Sequence, residues 1–585
     1  MYQWNLSKLY TSLEDPAFTE DLNRLDEINQ RWAHFTATLS SEGSAEELKQ
    51  MLAIQTEQYQ VAMRLMDYLS LSSSVDSTNA KVQSLLGVVS KKLSDSAKSD
   101  AISEKYIARI ADLEAMIDSD HELVPYKEYL LQTKKWNQYS LSDEVEEVIS
   151  KLSIDSTEAW SNLQSYLTST MDVDYKGEKV TLSQIRNMAY DESPEVRKSA
   201  YEAELAAYSH VKDAVAFSLN SLKGHVNTIC EMRGFESALE RTLIYSRMSQ
   251  ETLDALLDAI KEYLPKFHMY LRRKGELLGH ENGLPWYDLF APMGKSNERK
   301  YTVEESKDYL LDGFKDFDGE LCDMIEKAYE EEWIDFLPKR GKVGGAFCAS
   351  NSELKQSFIL TNYDGSLSDI VTLGHELGHA FHSQQVQDEP TINLGYSMPL
   401  AETASTFNEV VIMNQMIKTC EEKDVKLKLI ESTLQDVTQI ICDIYSRYLF
   451  ESNVFEQRKS AFLYADELEE IMRNAQLSAY GDGLDPNCLH PYMWVCKGHY
   501  YSAGLSYYNF PYAFGGLFAR GLYAVYQREG ASFVAKYKEL LKATVYKDAE
   551  EVARLADIDI TQKEFWCSAL DSVVTMIDEF MELTK

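Results

Sequence analysis

The chain has few residues that break regular structure. Among its 585 residues only 12 are proline and 26 are glycine. Because these two residue types dominate flexible connections, their scarcity excludes long flexible linkers and favours long helices. The sequence also lacks any uninterrupted run of about 18 apolar residues, so we expect no membrane-spanning helix.

Positive charge is scarce too. Lysine and arginine together number 58 against 94 acidic residues, which gives a formal net charge of −36. A surface of this sign repels phosphate groups, so we expect neither nucleic acid nor an anionic membrane as a partner. With 44% hydrophobic and 26% charged residues, the composition is typical of a soluble globular protein.

Paired cysteines are absent as well. None of the eight cysteines belongs to a CxxC pair, which indicates a reducing compartment rather than a disulfide-stabilised scaffold. The N-terminal MYQWNLSKLY lacks a basic segment followed by an apolar run, so no signal peptide is expected. We therefore predict a cytoplasmic protein.

Helical periodicity runs through most of the chain. Its length exceeds what one compact core organises, so we expect at least two domains or a large multi-lobed helical fold. Apolar residues recur at helical spacing over residues 12–170 and 200–335. Between these regions VDYKGEKVTL (173–182) alternates around a Lys-Gly turn and predicts a short hairpin. From residue 399 onward we predict helices, except at 497–516.

A different pattern appears over residues 340–369. Two β-rich runs flank a polar turn, which predicts a small antiparallel sheet. Ser366 and Asp369 then have the spacing of a capping box, so a helix is expected at about 367–386, directly after a strand.

Within this helix the sequence HELGH places two histidines four residues apart. His375 and His379 project from one face, because positions i and i+4 lie about 40° apart around a helix axis. Both imidazoles therefore reach one ion, and a catalytic zinc takes three protein ligands and one water. Glu376 lies beside them, where its carboxylate reaches such a water without ligating the metal. HELVP at 121–125 lacks the second histidine and is expected to be inert.

The third ligand is expected downstream. Glu402 lies 27 residues after His375, on what the pattern predicts as the next long helix, although spacing alone also allows an exposed surface glutamate. Glu409 shares the face of Glu402 and is the other candidate, or it accepts a hydrogen bond from a ligand histidine. His382 is too far for the same ion, so we expect it to pack or form hydrogen bonds. Gly378 costs about 1 kcal/mol in a helix relative to alanine, which indicates a close approach by a backbone or by substrate.

A second cluster of polar side chains lies at 497–516. The stretch KGHYYSAGLSYYNFPYAFGG contains His499 and five tyrosines among four glycines. Tyrosine hydroxyls and an imidazole N–H are suitable donors to the oxyanion of a tetrahedral intermediate, and the glycines would let the segment move. We expect most of these tyrosines in the core and one or two in catalysis.

These motifs together resemble a known family. HELGHAFHS followed by ETASTFNE, and then HYY and YYNFPYAFGG, resemble the thimet-oligopeptidase-like zinc metallopeptidases, most closely the oligoendopeptidase F branch. WNLSKLY near the N-terminus and GEKVTLSQIRNMAYDESPEVRKSAYEA in the middle are similar to the same branch, so the resemblance covers nearly the whole chain.

The resemblance implies a fold and an activity. The fold is mainly α and zincin-like: a two-lobed helical clam shell with a small antiparallel sheet before the HExxH helix and a deep internal channel. An oligoendopeptidase F-type helical lobe would occupy residues 1–200, and the catalytic metallopeptidase region residues 201–585. The activity is that of an EC 3.4.24-type metalloprotease, a hydrolase that cleaves internal bonds of short oligopeptides and excludes folded proteins.

The resemblance also implies the metal site. One Zn²⁺ per chain would be held by His375, His379 and Glu402. Glu376 would be the general base, which removes a proton from the attacking water.

Residues that contact substrate follow from the same resemblance. His499, Tyr508 and Tyr512 would stabilise the oxyanion or hold the substrate. Because the gap between the histidine and the tyrosine pair is slightly longer than the family pattern, Tyr501 and Tyr507 stay open as alternatives to Tyr508.

The strand around Gly345, Ala346 and Phe347 would bind the peptide backbone as an added strand.

Two rival functions stay open. One is a zinc carboxypeptidase with the same glutamate-zincin core, and the other is a catalytically weak peptide-binding relative. No oligomeric state is predicted.

Overall fold

Helices dominate the computed structural model, which describes residues 2–293 and 299–585. The mainly α class is thereby confirmed. None of the helices in these ranges combines the length and apolar content that a bilayer span requires. All eight cysteines are free, in agreement with the predicted absence of a disulfide scaffold; they are Cys230, Cys322, Cys348, Cys420, Cys442, Cys488, Cys496 and Cys567.

The helices are numbered in chain order. The first thirteen are α1 (Pro16–Thr36), α2 (Ala45–Val75), α3 (Ala80–Ser94), α4 (Ala97–Arg109), α5 (Leu113–Asp118), α6 (Lys127–Asn137), α7 (Asp143–Ser153), α8 (Ala159–Ser169), α9 (Leu182–Asn187), α10 (Pro194–Tyr208), α11 (Lys212–Arg233), α12 (Ala238–Tyr245) and α13 (Gln250–Leu277). They are followed by α14 (Val303–Phe314), α15 (Gly319–Glu330), α16 (Leu367–Val386), α17 (Met398–Ala401), α18 (Thr403–Thr419), α19 (Lys423–Thr438), α20 (Ile444–Arg458), α21 (Ala465–Tyr480), α22 (Phe510–Glu529), α23 (Ala531–Ala543), α24 (Ala549–Arg554) and α25 (Lys563–Leu583).

Packing divides the chain into two compact units, each built from three separated segments. The first unit comprises Met1–Ser140, Glu298–Ile412 and Glu529–Ala556. The second comprises Leu141–Asn297, Met413–Arg528 and Asp557–Lys585. These units interleave along the chain. The predicted boundary at residue 200 divides the chain by its sequence patterns and not by packing, and it stays a prediction.

The predicted hairpin near 173–182 is confirmed in the second unit. Strands β1 (Asp172–Tyr175) and β2 (Glu178–Thr181) pair antiparallel around a two-residue turn. Lys176 and Gly177 both have positive φ, at 53° and 88°. Two-residue hairpin turns of this kind match the twist of the strands that they join.

The first unit contains a three-stranded sheet with the order β3–β5–β4. Strands β4 (Phe347–Asn351) and β5 (Gln356–Leu360) are antiparallel, which confirms the predicted pair. Strand β3 (Ile334–Asp335) adds to β5 in parallel, so the sheet is mixed rather than purely antiparallel. Two residues are too few to show a periodicity in sequence, and this strand was not predicted.

One face of this sheet closes the core of the first unit. Phe358 of β5 is completely buried in a cluster with Leu25 of α1, Leu65 and Leu69 of α2, and Val89 of α3. The burial of these side chains anchors the sheet to the N-terminal helices, since each buried residue of this size contributes about 1.5–3 kcal/mol.

Helix α16 has the bounds that the sequence predicts. Ser366 is its N-cap, and its hydroxyl accepts a hydrogen bond from the backbone N–H of Asp369, whose side chain in turn contacts the N-cap backbone. The helix packs against β4, β5, α14, α15 and α23, all in the first unit. The HELGH motif is therefore held on a capped helix beside a sheet.

The prediction for 497–516 is partly wrong. The irregular segment ends at Asn509, and α22 begins at Phe510, inside the range that was predicted to be non-helical. A Cβ atom at Gly516 would lie 3.2 Å from the side chain of Ile440. Gly516 therefore permits close packing of α22 against Ile440. Composition alone does not distinguish a glycine that permits close packing from a glycine in a mobile loop.

Candidate metal centre

Two histidines and a glutamate converge in the first unit. His375 and His379 lie on one face of α16, with ring centroids 4.9 Å apart and planes at 82°. The Nε2 atom of each ring lies 3.4 Å from Oε2 of Glu402. One donor atom from each of the three residues lies within 4.8 Å of the other two. The geometry therefore suits a single shared cation.

Glu402 lies at the junction of two helices rather than within one long helix. It is the C-cap of the short helix α17, and α18 begins at the next residue, Thr403. Pro399, the second residue of α17, is compatible with this single helical turn, because the first turn of a helix tolerates proline, which lacks a backbone N–H. Ser405 donates a hydrogen bond of 2.8 Å to Oε2 of Glu402, which orients the carboxylate.

Glu409 contacts the ring of His375 from the far side. Its Oε1 lies 2.8 Å from Nδ1 of His375. Such a contact places a proton on Nδ1, so that in the neutral ring Nε2 carries the lone pair that a metal needs. Of the two roles considered for Glu409, this position favours the acceptor of a hydrogen bond from His375 over a metal ligand. Glu402, in contrast, lies beside the Nε2 atoms of both histidines.

The donor set fits a zinc ion. Two imidazole nitrogens and one carboxylate oxygen are the ligands of many catalytic zinc sites. Burial disfavours the charged ring of His375, yet the hydrogen bond and charge of Glu409, with the charges of Glu376 and Glu402, raise its pKa to about 9. Burial also opposes ionisation of Glu402, but His379 and His375 lower its pKa to about 2. A group of carboxylates this dense attracts positive charge, which a divalent cation supplies.

The carboxylate of Glu376 is buried beside this group. Its residue is only 6% exposed, and burial raises its pKa, partly offset by His375 and His379. A carboxylate with a raised pKa is suited to accept and return a proton near neutral pH. Burial, together with the charge of Glu376, raises the pKa of the Cys348 thiol in β4 to about 12.

Gly378 is explained by the approach of another backbone. A Cβ atom at this position would lie 2.6 Å from the carbonyl oxygen of Ala404 and 2.6 Å from Cα of Ser405. The α16 and α18 backbones therefore touch here, within three residues of Glu402. Asn408 adds a hydrogen bond of 3.1 Å to the carbonyl oxygen of Gly374, which joins the same two helices.

We expect Gly378→Ala to lower the free energy of unfolding by about 1–3 kcal/mol, because an added methyl group must separate two packed backbones. The amount of bound metal should also decrease, because Ser405 of α18 donates the hydrogen bond that orients Glu402. Gly374→Ala is the matched control, because its Cβ atom would meet Leu310 and Ile412 at 3.4 and 3.6 Å, ordinary contact distances. Urea denaturation and metal analysis of both variants test this. Equal stability of the two variants contradicts the interpretation.

The contact of Glu409 with His375 makes a second prediction. Glu409→Ala should weaken metal affinity by about 10–100-fold, because groups that orient a ligand histidine contribute this much. Glu409→Gln keeps an acceptor for Nδ1 and should lose less. Competition titration with a chelator measures both. An affinity unchanged in Glu409→Ala would show that the ring is oriented without this carboxylate.

His382 lies on the buried side of α16. Its Nε2 contacts Oγ1 of Thr544 at 2.8 Å and the carbonyl oxygen of Leu541 at 3.2 Å. Complete burial lowers its pKa to about 3, so the ring is neutral. The predicted packing and hydrogen-bonding role is confirmed, and the ring takes no part in the group of three donors.

The histidine and tyrosines at 497–516 lie in the second unit. The rings of His499 and Tyr508 are nearly parallel, with centroids 6.0 Å apart and an angle of 25°. Tyr512 donates a hydrogen bond of 3.0 Å to the hydroxyl of Tyr508 and is 40% exposed. Burial, aided by Arg447 and Lys497, lowers the pKa of His499 to about 3. A neutral ring and two linked phenols therefore form one cluster of donors.

Tyr501 and Tyr507 are buried instead. Tyr501 is 0% exposed, and its hydroxyl donates to the carbonyl oxygen of Trp494 at 2.9 Å. Tyr507 is 6% exposed and stacks on Phe455 with centroids 5.5 Å apart. These contacts favour packing over the substrate contact that we considered for both residues, because neither ring presents a free face.

The expected peptide-binding strand lies at the edge of the sheet. In the order β3–β5–β4, the outer edge of β4 pairs with no strand among the described residues. Phe347 begins β4, whereas Gly345 and Ala346 precede it. Gly345 has φ of 79°, and its carbonyl oxygen accepts a hydrogen bond of 2.9 Å from Asn362. An unpaired edge of this kind can add an extended peptide.

The sequence contains no indication of one aromatic contact to α16. Tyr396 stacks on His382, with centroids 4.4 Å apart and planes at 12°. Burial, together with the charges of Cys348 and Glu402, raises the pKa of its phenol to about 12. A tyrosine six residues before a proposed ligand carries no periodic signal, and only its position in the loop before α17 could have suggested it.

Family models and curated relatives match most of the chain. The model of peptidase family M3 matches residues 187–572, and the model described as oligopeptidase F matches residues 110–172. The oligopeptidase PepF of Bacillus subtilis is 25% identical over 99% of this chain and 87% of its own length. The group B oligopeptidase PepB of Streptococcus agalactiae is 22% identical over 99% of this chain and 96% of its own.

Solved structures share the fold. A putative peptidase from Chlamydophila abortus has a TM-score of 0.88 at 21% identity and covers 100% of this chain and 98% of its own. The oligoendopeptidase-F from Enterococcus faecium has a TM-score of 0.72 at 21% identity, with 97% and 98% covered. At these identities the structural similarity establishes the fold alone.

Proposed function

Since the chain belongs to peptidase family M3 and is a metallopeptidase, we propose that it is a zinc-dependent endopeptidase that hydrolyses internal bonds of short peptides. The observation that supports this most directly is the convergence of three donor atoms within 4.8 Å, next to a buried glutamate. The relatives named oligoendopeptidase F support the same substrate class.

The three converging residues would hold one zinc ion per chain. His375 and His379 would bind through Nε2, and Glu402 through Oε2, with Glu409 keeping the ring of His375 in its tautomer. When bound, zinc acts as a Lewis acid on a carbonyl oxygen and lowers the pKa of water toward about 7.

Glu376 would move the proton. Its carboxylate, buried and raised in pKa, takes a proton from the attacking water and returns it to the leaving amine. This role needs a group that is not itself a ligand, and Glu376 is not one of the three converging donors.

In the first unit, substrate would be held by the edge of β4. Phe347 and the residues before it offer backbone groups to an extended peptide. His499, Tyr508 and Tyr512 supply a neutral imidazole and two phenols, groups suited to stabilise an oxyanion. This assignment rests on the sequence pattern and on the chemistry of the cluster.

The test combines metal analysis with mapping of cuts in a mixed peptide library by mass spectrometry. We expect about one zinc per chain and cuts at internal bonds. Peptides are supplied with free and with amidated C-termini, because a carboxypeptidase requires the terminal carboxylate. Loss of cleavage on amidation would establish the carboxypeptidase. Binding without any cleavage would establish the weak peptide-binding relative.

A further inference from the structure

Helix α20 contacts the segment of the second unit that carries the donor cluster, which comprises His499, Tyr508 and Tyr512. On this helix, Nη1 of Arg447 donates a hydrogen bond of 3.1 Å to Oδ1 of Asn509. Asn509 directly follows Tyr508, and its carbonyl oxygen accepts a hydrogen bond of 3.0 Å from the backbone N–H of Tyr512. The guanidinium therefore holds the residue to which both tyrosines of the cluster are attached.

The guanidinium of Arg447 is itself held by a second acceptor. Its Nη2 donates a hydrogen bond to Oδ2 of Asp443, which lies four residues earlier on the same side of the helix. Asp443 is buried and ends a π-helical turn, Gln439–Asp443, that directly precedes α20. A lysine would keep the positive charge, but its single ammonium group does not span two acceptors as the planar fork of arginine does. Arg447 therefore joins Asn509 to the helix in one orientation.

Further contacts with α20 impose a strained backbone on the same segment. Tyr507 has φ of 53°, in the left-handed region, which costs a residue other than glycine about 1–3 kcal/mol. Its ring lies 5.5 Å from the ring of Phe455 and 5.6 Å from that of Tyr448, measured between centroids. Tyr500 packs on Phe450 with centroids 5.3 Å apart. Such strain persists only where surrounding contacts determine the backbone, and α20 supplies these contacts.

We propose that Arg447 is a positioning residue, which acts on the reaction through Asn509 by holding the donor cluster in place. The inference rests on the proposed function, in which this cluster stabilises an oxyanion. Donors stabilise a developing charge only when they are preorganised, and a displacement of about 1 Å costs about 10²-fold in rate. The oxyanion develops in the transition state, so the effect of Arg447 is expected in kcat rather than in KM.

The first test compares Arg447→Lys with Arg458→Lys, the same substitution on the same helix. The guanidinium of Arg458 donates to the carbonyl oxygens of Asn220 and Ala461 and so serves another part of the unit. We expect Arg447→Lys to lower kcat by about 10–100-fold and to change KM by less than about threefold. Arg458→Lys should match the wild type in both constants.

A second pair of variants changes the acceptor and leaves Arg447 in place. Asn509→Leu has a similar size but offers no oxygen to Nη1, so it should reproduce the loss of kcat. Asn509→Asp keeps an oxygen for Nη1, and the guanidinium offsets its charge, so it should restore most of kcat. This pair decides on the contact even where Arg447→Lys does not fold.

A double-variant comparison separates positioning of the phenols from general damage. In protein that also carries Tyr508→Phe and Tyr512→Phe, both phenols are absent. Arg447→Lys should then lower kcat by no more than about threefold, because most of its effect passes through those groups. Damage unrelated to the phenols would lower kcat by the same factor in both backgrounds.

Amide hydrogen exchange on the full-length protein gives a readout that does not depend on catalysis. Mass spectrometry follows exchange over residues 499–512, which include the N–H that Tyr512 donates to Asn509. We expect Arg447→Lys to speed exchange in this segment by at least about tenfold and to leave α16 unchanged. Arg458→Lys should exchange as the wild type does over residues 499–512.

Wild-type values of kcat and of exchange in Arg447→Lys would overturn the proposal. A loss of kcat that is equally large without the two phenols would also overturn it. If metal-loaded wild type cleaves no peptide, the proposed function fails, whereas exchange over residues 499–512 still decides whether Arg447 holds the segment.

Discussion

Replacing Glu376 by glutamine is expected to lower kcat by at least about 10³-fold while the protein keeps its zinc. Glutamine has the same shape but accepts no proton near neutral pH. The three converging donors do not include Glu376, so the ligands remain in place. Peptide hydrolysis and metal content are measured on the same preparation. A variant within tenfold of the wild type in kcat would remove Glu376 from the mechanism.

The chain contains its own control for this substitution. Glu122 follows a histidine, as Glu376 does, but lies at the surface, where it contacts Lys49 at 3.2 Å. A pair this exposed contributes about 0–1 kcal/mol to stability. Glu122→Gln should therefore leave both hydrolysis and zinc content unchanged, which separates the effect of the site from that of a lost negative charge.

Replacing Glu402 by alanine is expected to abolish zinc retention and to lower hydrolysis by at least about 10³-fold, equivalent to about 4 kcal/mol of barrier. The substitution removes one of the three proposed protein ligands, whose Oε2 lies 3.4 Å from both Nε2 atoms. Zinc affinity is measured by competition with a chelator, and hydrolysis is then measured over a range of added zinc. Excess zinc should restore little activity.

Glu389→Ala is the control for that variant, because Glu389 lies in the loop after α16 and outside the group of converging donors. It should retain wild-type zinc affinity. If Glu402→Ala instead keeps its zinc against the chelator and hydrolyses peptides normally, the ligand assignment is wrong, and with it the proposed chemistry of the site.

The part of the site that depends on local interactions follows from the sequence. The start of α16 is set by Ser366 and Asp369, which contact each other within one helical turn. The one-face arrangement of His375 and His379 follows from helix geometry alone. Such features need no knowledge of what packs against them, so composition and spacing are sufficient.

Features that depend on distant partners do not follow from the sequence. Gly378 indicated a close approach, but only the structure identifies α18 as the element that approaches. The start of α22 at Phe510 is decided by burial of its side chains within the second unit, which overrides the glycine content of the segment. The position of β3 depends on pairing with β5, more than twenty residues later.

The interleaving of the units is the largest feature that local patterns miss. Helical periodicity reports which face of a helix is buried but not which other helix covers it. The third segment of the first unit, Glu529–Ala556, is separated from the second by over a hundred residues. Nothing in its own composition assigns it to the unit that carries HELGH.

The bonds of His382 have a consequence for the order of synthesis. Its partners, Leu541 and Thr544, follow it by about 160 residues. A ribosome adds roughly 5–20 residues per second, so about 8–32 seconds pass before α16, which carries two of the three proposed ligands, meets these partners. Once residue 402 has been added, all three proposed ligands have been synthesised, while the contacts of His382 that support α16 are still missing. A message cut short just before codon 541 would encode all three proposed ligands, but its product would lack the hydrogen bonds of His382 to Leu541 and Thr544.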